Sequence, residues 1–465
     1  GTRPAFQVAE WLGTSSGTIF GGTDYPIQSL TFCSGYADDG AGTQVKVDRT
    51  IVVAGGRVFQ ILPGGSATAI SSGAIFNTTG RVSAVQFKDF VYFCDGGTGG
   101  TGATETDHHY YKLSLAKKTP VSGDITAWAD DLNAAQSDTS GPNTVSTQIG
   151  SNYHVASMAV KMGARLAMAG VIGAEETWFL CAIDDPEDWN PSAGNGATAD
   201  AVAGGTNAAD GYGTIGEPIE ALVPFGQSGL IIAGRTSLTY LTGDPVISDT
   251  AMLTMSRSLG IAGRDAWCAG PDQGVFILTE EGLLFLQPNM FAVDKSALVS
   301  RNRLDSFFAT RRWDKITPVL VHDVARSGVW IWLNNSESPQ QSEHLFYSYA
   351  TDGFFPVTME HSSFSGAVCG TPTVMNPNGS TSVVFGGDYG IIGTFDDEVV
   401  CGSDGLNAPW VTASTWHNGD SARQVDRSEQ VNKDAAITHR IESEVSVGPL
   451  FVPEPNELLV REVTV

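Results

Sequence analysis

Residues Thr50–Leu62 read TIVVAGGRVFQIL, two short apolar runs separated by a pair of glycines. Paired glycines supply the positive φ that a tight hairpin turn requires, so the stretch predicts two antiparallel strands turning at Gly55-Gly56. The same texture recurs along the chain. Arg81–Phe93 (RVSAVQFKDFVYF) predicts a hairpin with Lys88-Asp89 near its turn, and His109–Leu115 (HYYKLSL) is its candidate partner strand. Further groups lie in Ala164–Ile183, Ala221–Leu241, Val275–Leu286, Thr317–Tyr349 and Ala367–Phe395; in Val275–Leu286 (VFILTEEGLLFL) the turn is placed at Glu281-Gly282.

These groups fall near 27–75, 82–118, 152–192, 216–250, 260–296, 314–358 and 364–398. A repeat of about 40–55 residues with several strands per unit is the mark of a β-propeller. A sandwich or barrel, the competing folds, would use turn spacings of about 8–12 residues throughout. The expected fold is therefore all-β, a propeller of about seven blades; the degenerate repeats leave six or eight open. Runs such as Leu230-Ile231-Ile232 and Val329-Trp330-Ile331-Trp332 suit strands covered on both faces, as they are between neighbouring blades. Helical patterns are confined to two short candidates, Ile125–Ala135 and Ser296–Thr310.

The expected organisation is a propeller over 1–400, a polar linker over 401–434 and a C-terminal β segment over 435–465. That last segment carries the alternating stretches Ile437–Val447 and Glu457–Val465, and reads as the start of a β-sandwich or as a strand-exchange element. Gly96–Asp107 and Ser192–Tyr212, rich in small and polar residues, read as long surface loops.

Composition narrows the function. Of 465 residues, 17% are charged and 54 are glycine, and the net charge is −25. So acidic a chain repels phosphate backbones, which excludes sequence-specific nucleic-acid binding and leaves double-stranded DNA only as something that passes by. Cys33, Cys94, Cys181, Cys268, Cys369 and Cys401 include no CxxC pair, and most sit in apolar runs. They read as small buried hydrophobes in a protein assembled in a reducing cytoplasm. No apolar run reaches the length of a membrane helix, and Gly-Thr-Arg-Pro-Ala-Phe does not read as a signal peptide, so membrane insertion is not expected.

The stretches that invite chemistry have plainer readings. Asp107-His108-His109 suggests a metal site, but no zinc spacing supports it and a polar strand entrance suffices. Asp184-Asp185-Pro186-Glu187-Asp188-Trp189 concentrates carboxylates without the alternation of a calcium loop, and reads as an exposed turn. The acidic-glycine turns at Asp272-Gln273-Gly274, Glu281-Gly282, Asp352-Gly353 and Asp388-Tyr389-Gly390 are hairpin chemistry. No nucleophile elbow, P-loop or dinucleotide fingerprint occurs. No catalytic, cofactor or metal residue is assigned, and the chain is not read as an enzyme.

Three stretches resemble a known family. Arg165–Pro191 (RLAMAGV…ETWFLCAIDDPEDWNP), Gly229–Pro245 (GLIIAGRTSLTYLTGDP) and Ser258–Leu286 (SLGIAGRDAWCAGPDQGVFILTEEGLLFL) resemble, in order, blade segments of bacteriophage tail nozzle and related tail propeller proteins. Arg440–Val465 resembles the first strands of the sandwich that often follows such a propeller. The family's members are usually longer, so the likeness implies a compact relative or a fragment. It implies a virion component assembled in the bacterial host cytoplasm: a nozzle- or hub-like ring, usually of six copies, docked on a portal or adaptor ring and lining or sealing the DNA channel. Carboxylates should then face the lumen of that assembled ring, keeping the duplex mobile. It carries no catalytic residues. The alternative is a propeller that binds or cleaves host glycans during adsorption.

Overall fold

A computed structural model describes residues 5–11, 25–63, 67–78, 80–96, 110–127, 156–171, 174–187, 189, 202–203, 214–245, 252–288, 290–337, 342–357, 366–374, 381–387 and 390–396. All of them belong to the compact unit Gly1–Val400. The loops and the linker and C-terminal segments expected over 401–434 and 435–465 lie outside the described residues, apart from Gly96 and the pair Val202-Ala203.

The described strands form seven separate antiparallel sheets. The first strand, β1 (Ala5–Trp11), belongs to the last sheet. Blade 1 is β2 (Ile27–Asp38), β3 (Gln44–Ala54), β4 (Arg57–Ile61) and β5 (Thr68–Ala69). Blade 2 is β6 (Ser83–Phe87), β7 (Phe90–Cys94), β8 (Tyr111–Ser114) and β9 (Ile125–Ala127). Blade 3 is β10 (Met158–Met162), β11 (Arg165–Val171), β12 (Ala174–Leu180) and β13 (Val202–Ala203). Blade 4 is β14 (Ala221–Phe225), β15 (Gly229–Ala233), β16 (Leu238–Leu241) and β17 (Met252–Ser256). Blade 5 has three strands, β18 (Trp267–Ala269), β19 (Val275–Thr279) and β20 (Gly282–Leu286). Blade 6 is β21 (Ile316–Asp323), β22 (Gly328–Asn335), β23 (His344–Ser348) and β24 (Gly353–Val357). Blade 7 is β25 (Cys369–Val374), β26 (Thr381–Gly386) and β27 (Ile391–Asp396), completed by β1. The protein is a seven-bladed β-propeller.

Each blade is too thin to bury its own apolar faces, and the cores lie between blades. Ile51, Val53 and Phe93 pack blade 1 on blade 2, and Tyr92, Met168 and Phe179 pack blade 2 on blade 3. Trp178, Leu180 and Ile232 join blades 3 and 4, and one larger cluster joins blades 4, 5 and 6 through Phe225, Ile277 and Ile331. Trp332 and Phe385 join blades 6 and 7, and Ile392, Val52 and Ile27 join blade 7 back to blade 1. Leu230, Ile231 and Ile232 are all fully buried, as expected of a strand covered on both faces.

The ring is closed twice. β1 pairs with β27, Gln7 lying opposite Thr394, and Ile27 N–H donates to the Gly387 carbonyl at 3.0 Å. Pairing the first strand with the last covers the edge of β27 and gives blade 7 its fourth strand.

Local expectations fare unevenly. Gly55 and Gly56 take φ of 54° and 71° between β3 and β4, and the Lys88-Asp89 turn joins β6 to β7 with Lys88 at φ 52°. The turn placed at Glu281-Gly282 lies one residue earlier: Thr279 pairs with Gly282, so Glu280-Glu281 make the turn. Thr279 Oγ1 accepts from the Glu281 and Gly282 N–H groups at 3.1 Å each and fixes that register.

Both helical expectations need correction. Ile125–Ala127 is strand β9, pairing with β8 because the blade needs a fourth strand and Ile125 and Thr126 are β-branched; the rest of Ile125–Ala135 lies outside the described residues. Within Ser296–Thr310 a single 3-10 turn (Lys295–Ala297) and one short α-helix form, α1 (Asp305–Ala309). Its preceding residues run along the edge of three-stranded blade 5 instead. Val299 N–H donates to the Leu283 carbonyl at 2.8 Å, and Ser300 Oγ accepts from Leu283 N–H at 3.0 Å. An exposed backbone edge outcompetes local helical preference.

Candidate functional site

The first strand of each blade faces the axis, and residues that enter these strands bring charge to the centre of the ring. A cavity of about 310 Å³ lies among them, walled mostly by apolar side chains such as Leu30, Met158 and Leu222. The hydroxyl-bearing residues of the wall stitch neighbouring inner strands together. Ser83 Oγ donates to the Ala159 carbonyl at 3.1 Å and accepts from Ala159 N–H at 3.0 Å, and Thr31 Oγ1 donates to the Ala84 carbonyl at 3.1 Å.

Into this cavity project Arg81, at the approach to β6, and Arg264 and Asp265, at the approach to β18. Blades 2 and 5 stand on opposite sides of the seven-bladed ring, so these residues meet across the axis. Arg81 Nη2 and Nε lie 2.7 and 3.1 Å from Asp265 Oδ2. Asp265 is itself fixed through its backbone, its carbonyl accepting from Leu320 N–H at 2.9 Å. Burial pulls the Arg81 guanidinium down, but the facing Asp265 carboxylate and Cys369 thiol more than offset it and leave it above its ordinary value. The remaining Arg81 nitrogen, Nη1, is buried and has no hydrogen-bond partner.

Arg264 has no hydrogen bond or ion pair with any described residue. Desolvation lowers its pKa; Asp265 opposes that shift and the neighbouring Arg81 adds to it. At the far end of β21, His322 lies 3.2 Å from Tyr349 Oη, and burial pushes its pKa below the usual histidine value. The channel cysteines, Cys268 and Cys369, are buried and burial raises both thiols, so neither presents a thiolate near neutral pH.

A second set of ion pairs ties blades together farther from the axis. Arg165 is 1% exposed; its Nε and Nη2 lie 2.6 and 2.9 Å from the Asp244 carboxylate, and its Nη1 donates to the Cys181 carbonyl at 2.5 Å. This joins blade 3 to the end of β16 in blade 4. Arg235 holds Glu280 across the blade 4–5 boundary at 2.6 Å. Arg303 makes a two-armed contact with Asp352, which also accepts from Tyr347 Oη at 3.0 Å.

The acidic corner singled out in the sequence belongs to the same system. Asp184 pairs with Lys88 at 3.1 Å and Glu187 pairs with Lys112, so blade 2 lysines occupy these carboxylates. Trp189 is buried and donates from Nε1 to the Pro186 carbonyl at 2.8 Å, while Asp188 lies outside the described residues. Among the described residues the corner is a partly exposed inter-blade clamp. Asp107, His108 and His109 lie outside the described residues. Asp272 and Gln273, at φ 53° and 61°, and Asp352, at φ 50°, occupy tight hairpin turns, while Asp388 and Tyr389 are not among the described residues. Among the described residues, no three His, Cys, Asp or Glu side chains cluster as a metal site would require. Among them, no helix is long and apolar enough to cross a membrane.

None of Arg81, Arg264, Asp265 or His322 was singled out by sequence reasoning. The available signal was faint: charged residues standing immediately before the first apolar strand of a unit, in RVSAVQF and in GRDAW.

No protein-family model and no curated protein matches the sequence. Among solved structures the chain is similar to YCF48 bound to D1 peptide, with a TM-score of 0.46 and 10% identity over 86% of this chain and 100% of that one. It is similar to the WD40 beta propeller domain of Doa1, with a TM-score of 0.39 and 10% identity over 81% and 98% of the two chains. It is also similar to the extracellular domain of a putative two-component system from B. thetaiotaomicron, with a TM-score of 0.45 and 10% identity; this chain covers 84% of itself and 42% of that one. The assignment as a propeller rests on the strand pairing described above.

Proposed function

We propose that the protein is a non-catalytic propeller that serves as a docking and wall element of a larger assembly, namely a ring-forming component of a bacteriophage tail. The observation that carries this reading is mechanical: seven blades are closed by β1 on β27 and clamped by ion pairs such as Arg165–Asp244. A closed ring of this kind suits a wall or hub, because each blade is held by both neighbours. Arg165 and Asp244 lie in two of the stretches that resemble tail propellers, which supports the resemblance with a structural reason for both residues.

The propeller's own channel, with a cavity of about 310 Å³ bridged by Arg81 and Asp265, is far too small for a duplex. DNA passage would therefore need a lumen formed by several copies, with partners on a portal or adaptor ring. Electron microscopy of purified particles tests this. Copies arranged coaxially with the DNA channel, six to a ring, support it; a peripheral trimer overturns it.

One observation favours a second reading, a glycan-binding propeller. Tyr36 and Phe355 are 70% and 50% exposed, and aromatic faces in solvent are suited to stacking on sugar rings. Saturable binding to a panel of sialosides and polysaccharides, lost in Tyr36→Ala or Phe355→Ala, would favour it over the first.

A further inference from the structure

The central channel holds more positive than negative charge, in a protein whose overall charge is −25. Two guanidinium groups, Arg81 and Arg264, face one carboxylate, Asp265. The other titratable groups of the wall are His322, which burial keeps neutral near pH 7, and the two protonated thiols Cys268 and Cys369. One guanidinium is thus satisfied by Asp265. Among the described residues the second has no counter-charge, and Nη1 of the first has no hydrogen-bond partner by distance and angle, the Cys369 thiol being the other group that faces the Arg81 side chain.

Arg264 and Arg81 are partly rather than fully buried; a cation there without a partner is still screened less than on the open surface, and solvated surface positions were open to an arginine that served no purpose on the axis. Replacement by a hydrophobic residue of similar volume would be the stabilising choice. Unpaired donors in a mostly apolar cavity are instead what an anion site requires.

We propose that this channel is a binding site for a carboxylate group, held by Arg264 together with Nη1 of Arg81. The local excess is a single positive charge, which a monoanion neutralises and a phosphate dianion exceeds. The planar guanidinium fork matches a carboxylate in two-armed geometry. A cavity of about 310 Å³ accommodates a small organic acid or one acidic side chain of a partner peptide, and no folded element.

Two probes separate those sources: propionate, a monoanion, and an N-acetylated, C-amidated tripeptide whose central residue is aspartate. Inorganic phosphate and chloride at equal ionic strength are the controls. Calorimetric titration of the full chain should show one saturable site for at least one carboxylate probe. That site should weaken about 10- to 100-fold in Arg264→Gln, the loss expected on removing a charge-assisted hydrogen bond. Binding of propionate alone assigns a small acid, and binding of the peptide alone or more tightly assigns a partner side chain.

A second variant reads the same claim through stability. Arg264→Met should melt higher than wild type without ligand and lose the rise in melting temperature that the carboxylate probe gives wild type. The proposal is overturned if neither probe binds, if Arg264→Gln binds as wild type does, or if phosphate or chloride matches the carboxylates. An Arg264→Met protein that melts lower than wild type also overturns it, because the arginine would then be a structural group.

Discussion

Arg81 and Asp265, 184 residues apart in sequence, meet across the axis of the ring with Nη2 2.7 Å from Oδ2. The pair joins blade 2 to blade 5 through side chains across the channel. It also fixes which channel charge is left over. Asp265→Asn should leave both arginines without a carboxylate and destabilise the protein by about 1–3 kcal/mol, between the surface and fully buried limits for a broken pair. Arg81→Met combined with Asp265→Asn should recover much of that loss. A double-mutant cycle by urea denaturation measures the coupling, and strictly additive effects would show that the pair contributes nothing.

Arg165 and Asp244 should prove the stronger clamp. Arg165 is 1% exposed against 24% for the Arg81 side chain, so less solvent screens its loss of a partner. Asp244→Asn is expected to cost about 3–5 kcal/mol, the range for breaking a buried ion pair. Denaturant titration checks this; a change below that of Asp265→Asn would reverse the ranking.

Gly56 marks a place where backbone and packing make one demand. Its φ is 71°, and a Cβ there would come within 2.3 Å of the Phe76 carbonyl oxygen. Gly56→Ala should therefore lower stability by more than the ~1 kcal/mol of left-handed strain alone. Thermal unfolding provides the measurement, and an unchanged melting temperature would contradict the local geometry.

How far the sequence was legible follows from the range of each interaction. Gly55-Gly56 and Lys88-Asp89 declare hairpins because the turn and both strands lie within about a dozen residues, and the apolar runs at Ile231 and Ile331 show burial on both faces directly. The closure of β1 on β27 was not legible, since Gln7 and Thr394 share no local signal. Ser296–Thr310 misled because Leu298 and Val299 serve the edge of β20, which leaves only Phe308 as the buried residue of the short helix α1. The channel charges were invisible for the reason that hid the closure. Nothing in the residues around Arg81 states that Asp265 lies opposite.

His322 gives the channel a pH signature. Its folded pKa lies below the ordinary value of about 6.5 because burial disfavours the imidazolium. The unfolded chain then binds the proton more readily, so stability is full above about pH 6.5 and falls as pH drops from there toward the lowered folded value. Melting temperatures recorded at pH 7.5 and 5.5 should differ more for wild type than for His322→Gln. Equal differences in the two proteins would place the titration elsewhere.

The channel, the clamps and the docking role all depend on the ring being closed by its first strand, and one cross-link tests that closure directly. Gln7 and Thr394 are opposite one another in the β1–β27 ladder. Antiparallel partners have Cα atoms about 4.5–5.5 Å apart, within reach of a disulfide. The described native cysteines are buried and unpaired, which limits competing exchange. After mild oxidation of the Gln7→Cys, Thr394→Cys double variant, peptide mass spectrometry should find residues 7 and 394 linked in most molecules, with a raised melting temperature. Two freely alkylated thiols at these positions, with no linked peptide, would contradict the closed seven-bladed ring.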